Sequence, residues 1–259
     1  MGDKLKQLFD LTGKTAIITG GSSDIGRQLT TTLAGVGAHV ISLDIVNTET
    51  PALETEINFL AGSFEFHQID LTSVARMTAL IQQITANKPI DILINSARFR
   101  EKTLLTEFNP DLWDKHFEVN TKVTWMMTQL VVANMIEKKI KGSIINIASM
   151  NGDCVPVEGF SAYCASKAAI IQLSKQLVAE LSPHGIRINS ISPGLIYTSA
   201  TKESIDASRE TLTKIIPLHF IADPSDLDAI ILFLASNNAS RYVTGANYVI
   251  DGGLSTRLL

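Results

Sequence analysis

"KTAIITGGSSDIGR", residues 14–27, decides the fold. Thr15 to Thr19 form a short β-branched and apolar run, the signature of a buried strand. Gly20 and Gly21 then let the backbone turn tightly, and Gly26 lets the following helix lie close against the strand. Amide groups at the start of a helix that follows such a turn point at anions. The stretch therefore reads as a cradle for the diphosphate of a dinucleotide, formed by Gly20, Ser22, Ser23, Asp24, Ile25 and Gly26. Asp24 is the odd member, because it brings a carboxylate to a phosphate site. A carboxylate also suits a helix start, where it caps amides and favours the dipole. Asp24 is thus expected to point away from the phosphates and tie down the turn, with Arg27 or Arg98 as its neighbour.

Outward from this turn, short apolar runs alternate with longer helical patterns. The strand candidates are 15–19, 39–43, 64–69, 91–95, 143–148, 186–192 and 247–250. Several are almost continuously apolar, as parallel strands covered on both faces must be. Helical spacing predicts helices near 25–36, 73–87, 111–138, 160–182 and 224–236, with a shorter one in 48–60. The pattern is that of an α/β protein: a single-domain, doubly wound Rossmann-type fold over 1–259, with a seven-stranded, mostly parallel sheet and helices on both faces. No linker or repeat divides the chain. The small and polar stretch 195–216 reads equally as a mobile lid beside a site or as an ordinary surface excursion.

Composition narrows the function classes. The chain has 259 residues, 45% hydrophobic and 19% charged, with a net charge of −4. There is no basic field for nucleic acid or an anionic membrane. No apolar run approaches the roughly 18–20 residues that span a bilayer. The opening residues lack an apolar signal core, and Lys6 stands where a myristoylation motif needs Ser or Thr. A cytoplasmic setting is expected. Cys154 and Cys164 make neither a disulfide framework nor a metal-type pair. His67, His116, His184 and His219 share no spacing, so no metal is expected.

Chemistry gathers at a few positions. Asp44 ends the second strand, where an acidic side chain accepts hydrogen bonds from the adenosine ribose hydroxyls and repels a 2′-phosphate. The residues after it, Ile45, Val46 and Asn47, include no cation, so NAD is favoured and NADP is less expected. "YCASK", 163–167, sets Tyr163 and Lys167 four apart on one helix face. A phenol is a poor acid–base catalyst at neutral pH, but a cation one turn away favours its phenolate. Ser149 closes the strand "SIINIAS", and its hydroxyl can stabilise charge on a reacting oxygen. Asn120 sits inside a long helical pattern where Asn tends to interrupt the hydrogen-bond ladder, and there it can hold a water linking Lys167 to solvent.

Together these pieces resemble the single-domain short-chain dehydrogenase/reductase family over nearly the whole chain. The matching segments are "TGGSSDIG", Asp44, "DL" at 70–71, "NSA" at 95–97, Asn120, Ser149, "YCASK", "SPG" at 192–194 and "TGANYVIDGG" at 244–253. The resemblance implies hydride transfer between a nicotinamide and a carbonyl or alcohol carbon, at a catalytic set of Asn120, Ser149, Tyr163 and Lys167. It also implies that Asp70 and Leu71 lie by the adenine, and Asn95, Ser96 and Ala97 on the adenosine side. Pro193, Gly194, Ile196 and Thr198 lie near the nicotinamide, and Lys167 bonds its ribose. Helices 111–138 and 160–182 resemble those that build dimer faces, and the tail "DGGLSTRLL" resembles one that completes a tetramer, so a homotetramer or homodimer is implied. Three positions depart from the family pattern: Asp24 replaces a glycine, Arg98 replaces a small residue, and the Ser149–Tyr163 spacing is one longer.

Arg98, Arg100 and Lys102 precede "LLTEFNPDLW", a region similar to the family's sugar-acid dehydrogenases. Basic residues there suit an anionic substrate, or else form a solvated loop. Substrate contacts are expected at Ser149, Asn151, Tyr163 and Arg100, for a small carbonyl or alcohol such as a sugar acid or polyol. Two other readings remain: a 3-oxoacyl-carrier-protein reductase using NADPH, and a cofactor-binding regulator without turnover.

Overall fold

The computed structural model describes residues 2–47 and 50–256. The seven strands are β1 Thr15–Thr19, β2 His39–Asp44, β3 Ser63–Gln68, β4 Ile92–Asn95, β5 Ser143–Ile147, β6 Arg187–Pro193 and β7 Asn247–Ile250. They form one sheet in the order β3-β2-β1-β4-β5-β6-β7. All six neighbouring pairs are parallel, which sharpens the expected mostly parallel sheet.

Alternating residues explain why both faces are covered. Ala16 and Ile18 of β1 join Ile92 and Ile94 of β4 and Ile145 of β5 in one core. Ile17, Leu93 and Ile144 turn to the opposite core. Strands apolar at every position stay in place only if both faces are packed. The packing comes from helices α1 Gly2–Phe9, α2 Asp24–Gly35, α3 Thr50–Ile57, α4 Val74–Asn87, α5 Pro110–Phe117, α6 Val123–Glu137, α7 Ser161–Gln176, α8 Val178–Leu181, α9 Lys202–Asp206, α10 Arg209–Ile215, α11 Asp228–Ala235 and α12 Asn237–Ser240. Leu29 and Leu33 of α2 with Leu227, Ile231 and Leu234 cover the first face. Met77 and Ile81 of α4 with Met127 and Val131 of α6 cover the second.

The expected helix 111–138 is interrupted. Glu118–Lys122 is a π-helical turn between α5 and α6, and buried Asn120 lies in it. The stretch 195–216 is partly helical, holding α9 and α10. Helix α1 has no counterpart in the sequence reading; its end is held by Asn238 Nδ2, which donates to the Gln7 carbonyl at 3.0 Å. Thr48 and Glu49 of the expected 48–60 helix, and Arg257, Leu258 and Leu259 of the tail, lie outside the described residues.

The strand order reverses direction between β1 and β4. In open parallel sheets the crevice at the carboxyl ends of the strands at that switch point is where ligands bind.

Candidate active site

The Gly-rich turn is shaped by close packing. A Cβ on Gly20 would lie 2.8 Å from the Ala97 backbone, one on Gly21 1.6 Å from Ser42 Oγ, and one on Gly26 2.2 Å from the Gly20 carbonyl oxygen. Gly20 also has φ +72°, the left-handed region that side chains avoid. Ser23 is the N-cap of α2: its Oγ accepts from the Gly26 amide at 3.1 Å and donates to the Gly20 carbonyl at 2.8 Å. The amides of Asp24 and Ile25 have no acceptor among the described residues, so the helix start keeps open donors. A cradle of forced glycines under open amides fits the diphosphate of a dinucleotide.

Asp24 turns away from that cradle, as expected, but its partner is neither Arg27 nor Arg98. Its Oδ2 accepts from the Ser199 amide at 3.1 Å and from the Ser199 hydroxyl at 2.6 Å. The phosphate turn is thereby tied to the 195–216 segment. Asp44 is equally fixed: Oδ2 accepts from the Ser22 amide at 2.8 Å and Oδ1 from the Ile45 amide at 2.7 Å.

Two cavities meet at this turn. The larger encloses about 780 Å³ and runs past Gly20, Asp44, Ile45, Asp70, Leu71 and Ala97. The smaller encloses about 60 Å³ and brings together Ser149, Tyr163 and Lys167, which come from β5's end and α7. Ile25, Pro193, Gly194, Ile196 and Thr198 close its other side, joined by Thr201. Ser23 and Ser96 line both cavities. Most of the residues expected around a dinucleotide thus line one or other of the two cavities, while Ser22, Asp24, Gly26 and Asn95 line neither. The Asn95 side chain is buried and turned inward, donating to Asn146 Oδ1 at 2.8 Å and to Thr128 Oγ1 at 3.2 Å.

Tyr163 and Lys167 share a face of α7 and are 5% and 2% exposed. Lys167 Nζ donates to the Ile147 carbonyl at 2.6 Å. Burial, with Arg98 adding like-charge repulsion, lowers its pKa to about 7. Ser149 Oγ accepts from the Asn151 amide at 3.2 Å. Asn151 itself lines a neighbouring cavity with Val155, Pro156 and Val157. The Asn120 side chain is fully committed: Oδ1 accepts from the Phe99 amide at 2.7 Å, and Nδ2 donates to the Phe99 carbonyl at 3.0 Å and to Ser166 Oγ at 2.9 Å. It clamps the backbone between Arg98 and Arg100 rather than reaching toward Lys167.

The Arg100 guanidinium lies over the Phe160 ring, 4.1 Å from its centroid, and 5.8 Å from that of Tyr163. Arg98 projects into the crevice and lines both cavities. Sequence reasoning marked Arg98 as a departure near the cofactor and offered it as a counter-charge to Asp24 or to phosphate; it is not the partner of Asp24. Thr201 and Ser199 were missed altogether, and Ser199 carries no local signal, being 175 residues from Asp24. Cys154 is exposed and Cys164 half-buried. Among the described residues, no helix is long and apolar enough to cross a membrane and no group of His, Cys, Asp or Glu is placed to hold a metal ion.

Comparison with known proteins gives this geometry a context. A family model described as short chain dehydrogenase matches residues 14–209. A 3-oxoacyl-[acyl-carrier-protein] reductase, FabG of Thermotoga maritima, is 36% identical over 94% of this chain and 98% of its own. The human (3R)-3-hydroxyacyl-CoA dehydrogenase is 33% identical over 92% and 94%. A crystal structure of a gluconate 5-dehydrogenase from Burkholderia cenocepacia, in complex with NADP and tartrate, superposes with a TM-score of 0.89 at 29% identity, covering 98% of this chain and 100% of that one.

Proposed function

Because the chain belongs to the short-chain dehydrogenases, nicotinamide-dependent oxidoreductases acting on CH–OH groups, we propose that it interconverts a secondary alcohol and its ketone on a small anionic substrate, a hydroxy or sugar acid, with NAD as the preferred cofactor. The whole span 1–259 acts in this reading as one dinucleotide-binding domain. The observation that carries it is the shared cavity of Ser149, Tyr163 and Lys167 beside the stacked Arg100.

A bound nicotinamide supplies or takes up the hydride. Tyr163 gives a proton to the carbonyl oxygen, or takes one from the alcohol. Ser149 donates a hydrogen bond to the same oxygen and stabilises its developing charge. Lys167, one turn along α7, supplies the neighbouring positive charge that favours the phenolate. Asn120 contributes by fixing the cavity wall at Phe99 and by forming the π turn, not by a free side-chain amide. Arg100, held over the Phe160 ring, is preorganised to pair with a substrate carboxylate. The preference for NAD is supported by Asp44, whose carboxylate is pinned at the end of β2 where a 2′-phosphate would be repelled. Exposed Trp113 and Trp125 on α5 and α6 support a dimer or tetramer built on that face, and a cytoplasmic enzyme is the setting assumed.

The test is a spectrophotometric screen of sugar acids, hydroxy acids, polyols and steroid-like alcohols with NAD and with NADP. Turnover is expected for carboxylate-bearing alcohols with NAD. Tyr163→Phe should abolish it while NADH still binds within about threefold. Turnover of uncharged alcohols alone, or better use of NADP, would refute the respective half of the reading. One observation favours a second substrate class. The cavity beside Asn151 encloses about 500 Å³ and is walled by Leu105, Val155, Pro156 and Val157, a lining suited to the acyl chain of a 3-oxoacyl thioester; such thioesters belong in the screen.

A further inference from the structure

Arg98 stands at a particular place in the crevice. Three residues line both cavities: Ser23, Ser96 and Arg98. Ser23 is the N-cap of α2, so this neck lies at the helix start with its open amides. A dinucleotide that reaches from Asp44 at one end to Tyr163 and Lys167 at the other must thread the neck, and its diphosphate is the part that lies there.

The backbone on either side of Arg98 is held firmly. The Ser96 and Ala97 amides both donate to Thr19 Oγ1 at 3.1 Å. Phe99 is clamped through its amide and its carbonyl by Asn120. The side chain therefore starts from a fixed point. No carboxylate among the described residues pairs with it. The acid of the turn, Asp24, is already bound by Ser199. No Asp or Glu lines the smaller cavity, and Lys167 stands close enough to Arg98 to feel its charge. At the neck itself Arg98 is the one charged side chain and has no carboxylate partner among the described residues, the acids of the larger cavity being Asp44, Asp70, Asp111, Asp114 and Glu118. A planar guanidinium with free donors matches the paired oxygens of a phosphate.

We propose that Arg98 is a diphosphate-binding side chain, gripping the cofactor at the neck between the adenosine groove and the catalytic cavity. The proposal rests on dinucleotide binding and is independent of the substrate class. It also resolves the charge question raised by the turn: Asp24 is turned outward and Arg98 inward, so the phosphates meet a cation and not a carboxylate.

The experiment measures binding without turnover. NADH affinity is read by fluorescence, and ADP-ribose and adenosine by competition against NADH, for wild type, Arg98→Gln and Arg98→Lys. Arg98→Gln is expected to weaken NADH and ADP-ribose at least tenfold, to leave adenosine within about twofold, and to flatten the salt dependence of NADH binding. Arg98→Lys should fall between the two. Thermal unfolding of each variant controls for folding, and adenosine binding reports an intact groove. Equal losses for adenosine and ADP-ribose would overturn the proposal, since they would mark a structural effect. Unchanged ADP-ribose affinity would overturn it too, as would tighter binding in Arg98→Gln, which would make Arg98 an obstruction. Unchanged NADH affinity with a raised KM for a carboxylate substrate would reassign Arg98 to the substrate.

Discussion

Lys167→Met should make the cofactor-free protein more stable near neutral pH and less so at high pH. Lys167 is 2% exposed, and its pKa is lowered from 10.5 to about 7, first by burial and then by Arg98. A shift of that size corresponds to a penalty on the order of 5 kcal/mol for holding the charged form inside the fold. The sign follows from proton counting. Between about pH 7 and about pH 10.5 the unfolded chain binds a proton at this lysine that the folded chain does not. Stability therefore rises with pH across that window, by up to roughly 1.4 kcal/mol per pH unit from this group. Below the window the full penalty applies, and above it none. Methionine removes the charge at similar volume but leaves the Ile147 carbonyl without the 2.6 Å donor, a loss of about 1–3 kcal/mol. The variant should thus lead by roughly 2–4 kcal/mol near pH 7 and, with about 1 kcal/mol of the penalty remaining, trail by up to about 2 kcal/mol near pH 10. Urea unfolding of both proteins over that range gives the difference curve, in which titrating groups remote from Lys167 cancel. A flat difference curve would refute the argument, because it would mean that Lys167 binds its proton equally in both states.

Two further outcomes follow from the turn. Gly21→Ala should destabilise by about 1–3 kcal/mol, because its Cβ would meet Ser42 Oγ at 1.6 Å; Ser42→Gly should recover much of the loss in a double-mutant cycle read by thermal unfolding, and simple additivity would show that the clash is not the cause. Asp24→Ala removes both hydrogen bonds to Ser199, so amide exchange in residues 196–201 should quicken by about tenfold, the equivalent of roughly 1.4 kcal/mol; unchanged exchange there would show that the segment is held by other contacts such as Thr198–Thr201.

The fold was legible because its signals are local. Thr15–Thr19, Ile92–Asn95 and Ser143–Ile147 each carry an unbroken apolar stretch and are buried at every position, as two-sided covering of a parallel strand requires. Tyr163 and Lys167 were legible as a pair because helical spacing alone puts them on one face. Asn120 was half legible. Its interruption of the helix was expected and appears as the π turn, whereas its commitment to Phe99 depends on a segment 21 residues away. The partner of Asp24 was not legible. Charge suggested an arginine, but the carboxylate is satisfied by the amide and hydroxyl of Ser199, in a segment whose path is set by tertiary packing. Helix α1 escaped notice because eight residues give too little periodicity to stand out.

The Asp24–Ser199 contact has a thermodynamic corollary. Asp24 is the first residue of the helix whose open amides face the crevice, and Ser199 follows directly on Thr198, which lines the cavity of Ser149, Tyr163 and Lys167. The two halves of the crevice are therefore joined by a link that lies outside it. Whatever factor the Asp24–Ser199 link adds to the affinity of an anion at the helix start, that anion must add to the strength of the link. A turn that had only to hold phosphate would do as well with glycine at position 24. With aspartate there, the occupancy of the helix start and the order of the segment around Ser199 become two readings of one equilibrium.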